Sequence, residues 1–104
     1  MSQFRKVTAI TDTSETTICA AQSGKKLCAL KITVANSHAT QGVLCSIRDA
    51  TGGTVIDTIY CPAKETRGWV LPRPMKQDTV NSNWTLQADA SATLSVSWFG
   101  VVDG

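Results

Sequence analysis

A chain of 104 residues accommodates one domain and leaves no room for a second. Charged residues make up only 17% of it, and the ten Lys and Arg are scattered, with a net charge of +2, which excludes a nucleic-acid footprint and argues against a charge-rich helical bundle. No run approaches the length of a membrane span, and the start MSQFRKVTAI lacks the apolar segment of a signal peptide, so the expected protein is soluble and made in the cytosol.

Apolar runs along the chain are short, alternating and rich in Thr, Val, Ile and Trp, and turn residues recur about every ten positions. That spacing predicts a single all-β domain, residues 1–104: an antiparallel, jelly-roll-like β-sandwich of about eight strands. The first strand is 4–10, where Phe4, Val7 and Ile10 do not alternate, as expected at an irregular or edge strand. Ahead of it, residues 1–6 are a candidate extended arm. Strand 16–20 follows, then a turn at Gly24. Strand 27–35 is the clearest: Cys28, Leu30, Ile32 and Val34 are expected on the buried face, and Ala29, Lys31 and Thr33 on the other. Its register is set because a one-residue slip would bury Lys31.

Strand 43–48 places Val43, Cys45 and Ile47 inward. The turn DATGGT then carries two glycines able to take positive φ, and 54–61 returns with apolar residues on both faces. In the middle of that strand stands Asp57. Facing inward it would need Arg48 or Arg67; facing outward it is an ordinary edge charge, which is the preferred reading. Residues 68–71 make a short strand, and RPMKQDTVNS is expected to be an irregular crossing. Trp84, Leu86 and Ala88 alternate on the seventh strand. The eighth, 93–102, puts Leu94, Val96 and Trp98 on one face and Phe99 and Val101 on the other.

Chemistry-bearing residues are sparse. Cys19, Cys28, Cys45 and Cys61 include no C-x-x-C pair; two disulfides are arithmetically possible, and reduced, buried thiols are expected. The lone His38 lies in a polar loop without a nucleophile beside it. Most carboxylates fall in turns, where Asp closes the turn with its own side chain. The stretch QDTVNSN carries one carboxylate, too few for a calcium loop. No cofactor, metal or catalytic residue is therefore expected.

The pattern GKKLCALKITVAN (24–36), the Gly52-Gly53 turn, GWVLPRP (68–74) and the closing NWTLQADASATLSVSW (83–98) together resemble small β-sandwich decoration, or cement, proteins of tailed-bacteriophage capsids. The resemblance covers roughly residues 16–102. It implies a jelly-roll-like virion protein without enzymatic activity. Its partners would be the major capsid protein and further copies of itself, as a trimer or dimer. Such a protein is made in the host cytoplasm and ends in the virion.

On that reading Phe4, Arg5 and Lys6 of the N-terminal segment are candidate docking residues, with the two cations meeting acidic groups on the shell. The stretch RGWVLPRPM supplies a second surface. Trp69 and Leu71 are expected to plug the sandwich, leaving Arg73, Pro74 and Met75 at a rim for a partner. The competing reading is a glycan-binding or tail-fibre module, with Trp69, or Trp84 beside Asn81 and Asn83, as the stacking platform.

Overall fold

The alternating pattern resolves into eight strands in a computed structural model that describes residues 3–103, without the side chains of residues 3 and 70–74. They are β1 (Gln3–Ile10), β2 (Thr16–Cys19), β3 (Lys26–Asn36), β4 (Val43–Arg48), β5 (Asp57–Cys61), β6 (Glu65–Lys76), β7 (Trp84–Ala88) and β8 (Leu94–Asp103). All pairings are antiparallel, and they make two sheets, β1-β8-β3-β6 and β2-β7-β4-β5. This order is that of a jelly roll, in which the chain passes back and forth between two facing sheets. No described residue is helical.

Each strand turns its apolar alternation toward the space between the sheets. Ile32 and Val34 of β3, Val43, Cys45 and Ile47 of β4, Leu86 of β7 and Val96 of β8 are fully covered there. A row of aromatic rings runs through this layer. Phe4 lies 5.2 Å from Trp98, Trp98 lies 6.3 Å from Trp84, and Trp84 lies 6.3 Å from Trp69, all tilted. Burying a side chain of this size stabilises the fold by roughly 1.5–3 kcal/mol. The Trp84 indole N–H donates to the Leu27 carbonyl at 3.0 Å, whereas the Trp98 N–H has no partner among the described residues.

Three expectations need correction. The inward set of β3 is not Cys28, Leu30, Ile32 and Val34. The register with β8 and β6 shifts between Ala29 and Lys31, so Leu30 is a bulge residue, and the inward set upstream becomes Leu27 and Ala29. Cys28 is buried but leaves the core cluster.

The second correction concerns β6, expected to stop at Leu71, which runs to Lys76. It is an edge strand, and its pairing with β3 jumps from Lys31↔Val70 to Ala29↔Met75. Residues 71–74, with both prolines, therefore stand opposite Leu30 alone and owe the ladder no donors. The third is that β5 begins only at Asp57. In the turn before it, Gly52 alone of the glycine pair has positive φ, at 70°.

Candidate functional site

Most polar side chains with chemical potential are committed to the molecule's own loops. The Glu15 carboxylate accepts from Thr85 Oγ1 at 2.6 Å and from the Gly52 N–H, and these bonds hold its pKa below the usual carboxylate range. Asp12 and Asp89 accept from the backbone N–H groups of Ser14 and Leu44. His38 Nδ1 accepts from the N–H groups of Thr40 and Gln41, which makes the imidazole a loop brace. QDTVNSN is a clamp: Asn81 and Asn83 accept from the N–H groups of Gly24 and Ala21, and Gln77 is buried behind them. Among the described residues, no three His, Cys, Asp or Glu gather as metal ligands would. Asp57 sits on the edge strand β5 and meets its neighbour's N–H, that of Thr58. Arg48 instead bonds Gln87, and Arg67 pairs with Glu65.

The glycan platform proposed around Trp84 does not form. Trp84 is fully buried, Asn81 and Asn83 are occupied in the clamp, and Trp69 packs against the core. A stacking surface needs an exposed ring face, and Trp84 has none.

What remains open is the outside of each sheet. On the β1-β8-β3-β6 sheet, Arg5, Phe99 and Lys31 fall in one register row across β1, β8 and β3. With Thr33 and Ser97 from the next row they line a groove of about 420 Å³. Neither Arg5 nor Lys31 has an ion-pair partner among the described residues. Val7, beside them on β1, is 62% exposed.

Charge is segregated in the same sense. The strands of this sheet hold seven of the ten cations (Arg5, Lys6, Lys26, Lys31, Arg67, Arg73, Lys76) and two of the eight acids (Glu65, Asp103). The strands of the other sheet hold one of each, Arg48 and Asp57, and most remaining acids lie in loops. On the outside of that second sheet, Tyr60 of β5 pairs with Leu44 of β4, and Leu44 is tied to Asp89 by two backbone-directed hydrogen bonds. Tyr60 is 58% exposed and Leu44 40%.

The structure thus brings one expected docking residue, Arg5, into a groove and disperses the rest. Residues 3–6 are the beginning of a paired strand, opposite 98–101. Phe4 turns inward onto Trp98, and Lys6, two residues on, is exposed but lies on the opposite side of β1 from Arg5 and the groove. Met75 is exposed on β6, at the opposite edge of the sheet from Arg5. The side chains of Leu71, Arg73 and Pro74 lie outside the described residues. Lys31, Thr33, Ser97 and Phe99 were missed as a group. The signal available was that each falls off the core face of its own strand.

All four cysteines are free and buried. Burial pushes the Cys19 thiol up to about 11 and the Cys45 thiol up to about 12, and it also raises Cys28 and Cys61. A buried thiol with a raised pKa is a poor nucleophile. Iodoacetamide at mildly alkaline pH is therefore expected to leave the native chain unmodified while all four thiols react in denaturant. Intact mass reads the count, and a fast-reacting native thiol refutes the expectation. Because the folded state holds these protons more tightly than the unfolded chain, their contribution to stability is full below the ordinary thiol range. It is lost as the pH climbs toward the folded values.

No protein-family model matches the chain, and no curated protein matches its sequence. Solved structures do match. The subunit structure described for Bacillus endospore appendages, a family of disulfide-linked pili, superposes with a TM-score of 0.60 at 13% identity over 98% of this chain and 86% of that one. PirA gives 0.54 at 9% identity over 95% of each chain. The coat protein of Tobacco streak virus gives 0.52 at 12% identity over 97% and 85%. The likeness is one of fold, and at such identities it carries no site residues across.

Proposed function

We propose that this chain is a non-enzymatic structural subunit that decorates and stabilises the outside of a tailed-bacteriophage capsid as a homo-oligomer, bound to the major capsid protein. The observation that carries this reading is where the polar groups go. His38, Glu15, Asp89, Asn81, Asn83 and Gln77 brace loops, and what is left exposed is two sheet faces bearing apolar and charged side chains. Such faces act by area and charge, as an assembly subunit does. The neighbours in fold include a virus coat protein and a pilus subunit, both parts of repeating assemblies. Copies of this chain would associate without covalent links, since its thiols are buried.

The test is co-sedimentation. Purified protein is mixed with undecorated capsids of the phage that carries its gene and centrifuged through a cushion. The expected result is pelleting at a fixed ratio to the capsid protein, with a higher melting temperature for the shell. Recovery wholly in the supernatant overturns the reading.

A further inference from the structure

We infer that the two open sheet faces are complementary and that this chain stacks head to tail, the β1-β8-β3-β6 face of one copy against the β2-β7-β4-β5 face of the next. The inference rests on the reading of the chain as a structural subunit but not on its attachment to a capsid. One face presents Phe99 between two cations, Arg5 and Lys31, with the exposed Val7 two residues from Arg5 on the edge strand β1. The other presents an apolar centre, Tyr60 and Leu44, beside the Asp89 carboxylate. Leu44 N–H donates to Asp89 Oδ1, and the Asp89 side chain is exposed. Each row spans three adjacent strand positions at about 4.8 Å spacing, so the apolar residues of one can seat between the cations of the other.

Like faces do not fit. Two copies of the first face would oppose Arg5 and Lys31 to each other, which repels. The contact is therefore between unlike faces. These lie on opposite sides of the sandwich, so it propagates as a stack and does not close into a small ring. The homo-oligomer of the decoration reading is then a short stack. A four-stranded face of this length offers on the order of 500 Å² per partner, which is at the low end for a specific interface. A weak and salt-sensitive contact follows, since its charges are solvent-exposed at the rim.

Two double variants separate this from other modes of association. Arg5→Ala with Lys31→Ala disables the first face, and Leu44→Ser with Tyr60→Ser the second. All four residues are exposed, so both variants are expected to stay folded, which thermal melts check. Sedimentation velocity of the wild type is expected to show species beyond the dimer that grow with concentration and shrink between about 50 mM and about 500 mM salt. Each variant alone should be monomeric. Their equimolar mixture should form a dimer and stop there, because it retains one good contact per pair. A wild type that is monomeric at low salt overturns the inference, as does a variant that keeps the wild-type series or a mixture that stays monomeric. Failure of capsid co-sedimentation with stacking intact would instead overturn only the decoration reading.

Discussion

Gly100→Ala is expected to unfold this protein at a much lower temperature. Gly100 lies on β8 opposite Ala29, facing the core two residues after Trp98. A Cβ there would collide with the Cys28 carbonyl oxygen and lie 2.6 Å from Trp98 Cη2 and 3.0 Å from Cζ3. Neither neighbour can yield. The carbonyl belongs to β3, which is paired on both sides by β8 and β6. The Trp98 ring is fully buried between Phe4 and Trp84. Overpacking a well-filled core costs about 1–3 kcal/mol and occasionally more, and backbone collision puts this site at the upper end. A loss of about 3 kcal/mol lowers the melting temperature by roughly 10–20 °C in a domain of this size. Gly68→Ala is the control. It lies on an edge strand of the same sheet, and its nearest new contacts would be 3.8 Å away. A Gly100→Ala protein that melts no lower than Gly68→Ala refutes the argument.

Gly100 also marks the limit of what alternation reveals. The eight strands were legible because Val43–Ile47, Trp84–Ala88 and Leu94–Trp98 alternate cleanly and turn residues separate them. The bulge at Leu30 was not. The run from Cys28 to Val34 alternates without a break, and nothing in its composition says that one residue drops out of the ladder. That dropped residue moves Cys28 out of the core cluster.

The prolines of β6 were read correctly as unable to serve a central strand. The reading failed because an edge strand can loop them out and resume at Met75. The groove depends on register between strands distant in sequence. Arg5, Phe99 and Lys31 share a row only once β8 lies between β1 and β3, and no local pattern states that order. Trp84 illustrates the converse. Its alternation with Leu86 and Ala88 already favoured the core over a glycan platform, and the fold places it there.

Gln77 is the residue whose importance was least visible, since it falls in a stretch expected to be an irregular crossing. Its removal is expected to have the second-largest effect. The side chain is 2% exposed. Its Oε1 accepts from the Leu27 N–H at 2.8 Å, and its Nε2 donates to the carbonyls of Asp49 at 2.9 Å and Ser82 at 2.8 Å. One amide thus ties the start of β3 to the loops that follow β4 and β6. Gln77→Met keeps the length and volume but strands a buried donor and two acceptors. Each unsatisfied buried group costs about 1–3 kcal/mol, and the two loop carbonyls can recover part of theirs from water, so the expected loss is about 3 kcal/mol. Gln77→Glu distinguishes lost hydrogen bonds from lost packing. A carboxylate still accepts from Leu27 but faces two carbonyl oxygens, which favours its protonated form and raises its folded pKa above the unfolded one. Its stability then recovers as the pH falls through that raised value, because the protonated acid can donate again. Chemical denaturation of both variants from neutral to mildly acidic pH should show Gln77→Glu gaining on Gln77→Met. A constant difference between them would show that packing, not the hydrogen bonds, sets the role of this side chain.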